Sequence, residues 1–261
     1  MKVITLLNQK GGTGKTTIAS HIATGLALRG QRVLAIDTDA QGNMTSVLGL
    51  PLGDGVYRFV VKQPAWTDVL QQVNANVYTP EGHTGGGLLA VLPSNNETKN
   101  THETLVMKPL YFRQRLGELE GVFDYVVIDT PPTPSPIHTA VLFASTHILF
   151  PVELDKLSTE HGLVDSATSV AQIDAAMSHY GFIPPQACGI IPNKARTKTK
   201  LHGYVLDALR DQYGEMVWDA IPLSIACQEC FMEGSFLWNY ADANDARAHM
   251  SALVERVANL G

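Results

Sequence analysis

The chain has 261 residues, 45% of them hydrophobic, enough to bury a full core as one unit, so a single domain over residues 1–261 is the expectation. A net charge of −6 and an isoelectric point near 5.8 exclude a molecule that is cationic all over, and any contact with nucleic acid must come from a local basic patch. Three cysteines are too few for a disulfide framework, no secretory pattern opens the chain, and no apolar run approaches the roughly 18 to 20 residues that span a bilayer, so the expected compartment is the reducing cytoplasm.

Short apolar runs rich in β-branched residues alternate with longer amphipathic stretches, the pattern of an α/β fold with a doubly wound, mostly parallel twisted sheet flanked by helices. The first strand is predicted over residues 3–7 and the first helix over 16–28. Between them lies Asn8-Gln9-Lys10-Gly11-Gly12-Thr13-Gly14-Lys15-Thr16-Thr17. Glycines let a backbone curl so that successive N–H groups face phosphate oxygens, and the following helix presents its positive end. Lys15 would then neutralise the β- and γ-phosphates, and the Thr16 hydroxyl would sit on Mg²⁺. The usual phosphate loop has glycine six residues before its lysine; here that position is Gln9.

The run Lys-Gly-Gly-x-Gly-Lys-Thr-Thr is complete from Lys10 to Thr17, and it resembles the deviant Walker A motif of the ParA/MinD family of P-loop ATPases. The resemblance implies ATP and Mg²⁺ as ligands, with Gly11, Gly12, Thr13, Gly14, Lys15, Thr16 and Thr17 around the phosphates. It also implies a homodimer in the ATP-bound state, in which Lys10 crosses to the partner's nucleotide and stabilises charge on the transferring phosphoryl group.

The second strand, predicted over residues 32–37, ends in Asp37-Thr38-Asp39, at the carboxyl end of a strand, where open α/β sheets bind ligands. By resemblance Asp39 is the catalytic aspartate that orients or activates the attacking water, and Asp37 supports the metal shell or the loop; capping of a following short helix is the structural alternative for both. Residues 49–87, rich in proline and glycine, read as a surface excursion. A strand over 88–92 and a helix over 98–119 follow, and then a strand over 125–129 that ends in Asp129-Thr130-Pro131-Pro132. This resembles a Walker B strand, with Asp129 holding a water of the Mg²⁺ shell and residues 130–136 forming a switch loop.

Further strands are predicted over 147–152, 188–191 and 216–218, and helices over 159–179, 201–213 and 242–260. In the last helix Ala246, Met250, Leu253, Val257 and Leu260 recur at three- and four-residue steps, an apolar face read as core packing. The resemblance places Asn193 and Pro222 against adenine, although an asparagine after a strand is also an ordinary turn residue. Lys194, Arg196, Lys198 and Lys200 alternate with no acid among them, either as a solvated loop or, as the resemblance implies, as part of a nonspecific DNA-binding surface. The family likeness further implies slow hydrolysis stimulated by a ParB-like adaptor.

Two other readings come from relatives of this fold. Cys227-Gln228-Glu229-Cys230 could pair with its copy across a dimer to carry an iron–sulfur cluster, or be buried free thiols. MinD-like membrane seating is not expected, because Asp242, Asp245 and Glu255 are mixed with Arg247 and Arg256 around a small apolar face.

Overall fold

The computed structural model describes residues 1–83, 86–154, 156–196, 199–240 and 243–261, with the side chains of residues 156–161 and 231 also outside the description. Its strands are β1 (Lys2–Leu6), β2 (Val33–Asp37), β3 (Gln71–Gln72), β4 (Leu89–Leu92), β5 (Tyr125–Asp129), β6 (His147–Glu153) and β7 (Gln186–Asn193). The helices are α1 (Lys15–Leu28), α2 (Asn43–Val47), α3 (Gly55–Tyr57), α4 (His102–Met107), α5 (Tyr111–Gly117), α6 (Pro136–Ala144), α7 (Lys156–His179), α8 (Lys200–Tyr213), α9 (Ile225–Met232) and α10 (Asn244–Ala258).

The strands make one sheet in the order β3-β4-β2-β5-β1-β6-β7, parallel except where β3 meets β4. β1 lies between β5 and β6, so the chain leaves it toward one side for β2 and later returns on its other side as β6. Ligands of such sheets bind at this reversal, beyond the carboxyl ends of the strands.

Alternating side chains feed opposite faces. Val33 and Ala35 of β2 join a buried cluster with α1 and α10, whereas Leu34 and Ile36 join one with Phe112, Leu116, Ile137 and Val141 of α5 and α6. A third cluster packs Phe150 and Val152 of β6 against Val170 and Ile173 of α7 and Val205 and Leu209 of α8. Helix α1 is buried on every side from Ile18 to Ala27, which fixes the end that carries the glycine loop. At Gly25 a Cβ would fall 2.8 Å from Val254 and 3.0 Å from Trp238, so this glycine sets how closely α1 and α10 approach. The apolar face of α10 is thereby spent on the core.

Three sequence expectations are corrected. Residues 98–119 are not one helix but a 3-10 segment, α4 and α5. Pro109 is the cause: it offers no N–H, and Lys108 before it leaves the helical region at φ −132, ψ 64. Residues 216–218 provide an isolated bridge from Val217 to Ile190 in place of a strand, three residues being too few for a ladder of their own. The described part of 49–87 is not a surface excursion, since it buries Val56, Phe59, Val60, Val69, Val73 and Tyr78 and adds β3 to the sheet edge. Its glycines and prolines shape the turns, and the apolar residues between them enter the core. Helices α3, α6 and α9 lie outside the helices predicted from sequence.

Candidate functional site: the phosphate loop and its carboxylates

Sheet register assembles the site. Leu6, the last residue of β1, is the Cα partner of Asp129, which is also the partner of Asp37, so the glycine loop and two carboxylates start from one row of the sheet. Cross-strand bonds hold the row: the Thr38 hydroxyl donates to Asp129 O at 2.6 Å, and the Thr130 hydroxyl donates to Leu6 O at 2.7 Å.

The glycine loop then curls through positive φ at Gly12 (80°) and Gly14 (90°) into the start of α1. Asn8 sets its entrance, donating to Pro151 O at 2.8 Å and accepting from Lys10 N at 2.9 Å. Lys15 Nζ reaches back to Lys10 O at 2.9 Å. Burial lowers the Lys15 pKa, opposed by the negative field of Asp129 and Asp39.

Asp37 is fully buried and committed to the loop that follows it. Its Oδ2 accepts from the Thr45 amide and hydroxyl, both at 2.8 Å, and its Oδ1 accepts from Asp39 N at 3.2 Å. Burial pushes its carboxyl up to about 6. Asp39, half-buried, lies over the cleft; its Oδ1 accepts from Gln41 N at 2.9 Å and its carbonyl accepts from the Ser94 hydroxyl at 2.7 Å.

Asp129 differs from both. The Thr16 hydroxyl donates to its Oδ2 at 2.7 Å, while its buried Oδ1 has no hydrogen-bond partner. Burial first, and the nearby Asp37 carboxyl second, push it up to about 8 against the Thr16 hydroxyl and the Lys15 charge. Such an oxygen beside a threonine hydroxyl suits a hard cation that keeps its waters and takes phosphate oxygens. Among the described residues no cluster of three or more His, Cys, Asp or Glu could hold a metal through protein ligands alone. The donor set therefore fits Mg²⁺ bound together with a nucleotide.

Loop, Asp39, Thr130, Pro132 and Lys194 enclose a cleft of about 440 Å³. Gly14, Thr17 and Lys194 also border a second cavity, of about 360 Å³, walled by Asn193, Pro222, Cys227 and Met250. Asn193 and Pro222 are thus brought to one hollow next to the phosphate loop. The Asn193 amide in addition donates to Thr13 O at 2.9 Å. A contact missed in sequence is His138 at the start of α6, whose Nε2 lies 2.9 Å from Pro131 O and fixes the loop after β5. Ser135-Pro136, a cap residue and a proline at the first helical position, was the available signal for that helix.

The basic run is divided in space. Lys194 donates to Gly12 O at 2.6 Å and lies 3.8 Å from Glu153, at the phosphate loop. Arg196 and Lys200 are exposed, and Lys198 lies outside the described residues, as does Asp242. The paired cysteines are poorly placed for a cluster shared between copies: Cys230 is fully buried in the core, and burial pushes the Cys227 thiol up to about 11, far from the thiolate a metal needs. Among the described residues no helix is long and apolar enough to cross a membrane.

The family described as an AAA domain matches residues 1–179. Over 255 residues the chain is 29% identical to the chromosome-partitioning ATPase Soj of Thermus thermophilus, covering 97% of this chain and 94% of that one. The chain belongs to the ParA/MinD family of P-loop ATPases. Another member, the maintenance of carboxysome distribution protein A of Synechococcus elongatus, is 28% identical over 221 residues, 81% of each chain. The ATP complex of McdA from Cyanothece shares the fold at a TM-score of 0.81 and 21% identity, covering 100% of this chain and 97% of that one. ATP hydrolysis is the activity of the ParA/MinD family.

Proposed function

We propose that residues 1–261 form a single ATPase domain that binds MgATP, dimerises around it and, in that state, binds DNA nonspecifically to segregate or position a large cargo, with hydrolysis stimulated by a ParB-like adaptor. The observation that carries the reading is the glycine loop whose Lys15 and Thr16 line one cleft with Asp39, with the Thr16 hydroxyl bonded to the buried Asp129.

The loop amides from Gly11 to Thr17 cradle the phosphates at the positive end of α1. Lys15 neutralises the β- and γ-oxygens, and the Thr16 hydroxyl and Asp129 Oδ1 would hold Mg²⁺ together with its waters. When bound there, Mg²⁺ would supply neutralisation of phosphate charge. Asp39 orients the attacking water, and Lys10 acts on the partner's nucleotide. Asn193 and Pro222 border the hollow where adenine fits. The resemblance to Soj supports a partition role, and the exposed Arg196 and Lys200 support DNA contact. Two copies offer four such cations, and four phosphate contacts imply an affinity loss of about 12-fold per doubling of salt. The protein would then occupy the cytoplasm and gather on the nucleoid when ATP-bound. Membrane seating through α10 is disfavoured because its apolar face is buried.

The test is DNA binding by the purified chain with ATP, ADP or no nucleotide, at two salt concentrations, with oligomeric state followed alongside. Salt-sensitive binding by a dimer with ATP alone is expected. Lys15→Ala should lose nucleotide, and Asp39→Ala should accumulate dimer without hydrolysis. Dimerisation without DNA binding would remove the DNA step, and normal hydrolysis by Asp39→Ala would remove the catalytic assignment.

A further inference from the structure

For the amides of a phosphate loop to face the cleft, its carbonyls must face away, and each then needs a donor from outside the loop's own turn. The described structure supplies donors to three of these carbonyls, one from within the loop and two from outside it. Lys10 O accepts from Lys15 Nζ, Gly12 O from Lys194 Nζ, and Thr13 O from the Asn193 amide. Lys15 is the group that phosphate would draw into the cleft. The other two donors come from a different part of the fold, the end of β7.

That end is built to aim. Lys194 adopts φ 55, the left-handed region, one of two described non-glycine residues to do so. A lysine held there needs surroundings that over-determine it. They are present on both sides: Ile221 N donates to Pro192 O at 2.8 Å, Ala195 N donates to Ile221 O at 3.0 Å, and Leu223 N donates to Ala195 O at 2.9 Å. The turn is clamped between these bonds, and the Glu153 carboxylate, 3.8 Å away, steadies the ammonium from the other side. Lys194 also borders both the phosphate cleft and the cavity that holds Asn193 and Pro222.

We propose that Lys194 is a positioning residue of the nucleotide site: a strap from the end of β7 that fixes the curl of the phosphate loop through Gly12 O and puts a positive charge at the rim of the phosphate cleft. Its task is nucleotide binding and not contact with DNA. The inference rests on the nucleotide reading above and refines it.

The experiment is titration of the full chain with a fluorescent ADP in the presence of Mg²⁺, with dissociation rates, for wild type, K194A, K194R and K15A. Thermal unfolding without nucleotide, ATPase kinetics, and DNA retention at saturating ATP are followed on the same proteins. K194A should bind ADP about tenfold more weakly, the effect of losing a charged hydrogen bond, with faster dissociation and an unchanged unfolding temperature. KM should rise while kcat stays within about twofold, and K194R should restore most of the affinity because its guanidinium still reaches the carbonyl. Wild-type affinity in K194A together with loss of binding in K15A overturns the strap and leaves the nucleotide site standing. Wild-type binding in K15A removes the site itself, and the strap with it. A lower unfolding temperature in K194A that K194R does not rescue makes the residue merely structural. Loss of DNA retention with nucleotide affinity intact returns Lys194 to a DNA surface.

Discussion

Replacing Asp129 by Asn should make the protein more stable while ending its catalysis. In the fold this carboxyl sits at about 8 against an ordinary 3.8, so folding favours the neutral acid. Its contribution to stability is complete below about pH 4 and is lost as pH rises through about 8, at a slope of at most about 1.4 kcal/mol per pH unit. Asp37, raised to about 6, acts in the same direction over a lower range. Asn keeps an oxygen for the Thr16 hydroxyl and removes a carboxyl that must either take up a proton on folding or stay charged beside Asp37, although Lys15 loses a partner. The net gain near neutral pH is about 2 kcal/mol, the scale of an uncompensated buried polar group, or roughly 6 °C in unfolding temperature for a chain of this size. The assay is thermal unfolding of both proteins from pH 5 to pH 8 in nucleotide-free buffer with a chelator. The advantage of Asp129→Asn should widen as pH rises. Parallel pH profiles, or a variant less stable than wild type at pH 8, would refute the placement of an uncompensated carboxylate at the end of β5.

Three further substitutions probe the loop and the segment that the sequence misplaced. Gly14→Ala must hold φ 90, at a cost of about 1 kcal/mol, and its Cβ overlaps the Asn193 amide that bonds to Thr13 O, which adds about 1 kcal/mol more; a drop of roughly 6 °C in unfolding and loss of fluorescent-ADP binding are expected. Phe59→Ala, in a side chain with no exposure packed against Trp66, Tyr111 and Phe112, should cost about 3–5 kcal/mol by denaturant unfolding, whereas Leu52→Ala, 52% exposed in the same segment, should stay within about 0.5 kcal/mol. Equal effects of these two would return the segment to the surface.

What the sequence revealed follows from how far apart the interacting groups lie along it. The phosphate loop is contiguous from Lys10 to Thr17, and Asp37 and Asp129 each close an apolar strand, so local pattern was enough to find them. The donors to the loop's carbonyls were illegible, because Asn193 and Lys194 lie 180 and 182 residues from the groups they meet. Lys194 looked like part of a basic run because alternation along the chain does not reveal a left-handed turn that sends one side chain back to the loop. The split of residues 98–119 is legible at Pro109, whose missing N–H ends a helix that apolar periodicity alone would carry through. The burial of Phe59 was not readable, since a segment punctuated by glycine and proline can enclose a small cluster only by meeting α5, about fifty positions later.

The row that joins Leu6, Asp129 and Asp37 makes the sheet a ruler for the chemistry. Each step along a strand is about 3.3 Å and turns the side chain to the other face. Within β2 and β5, then, a change of residue alters packing, but a change of length by one displaces a carboxylate by a full step and points it away from the glycine loop. Additions to the molecule have room where the ruler carries no marks, beyond the edge strand β3 and in the turns at the opposite ends of the strands. This protein can grow at its margins, whereas the distance between its phosphate loop and its acids is counted in whole residues.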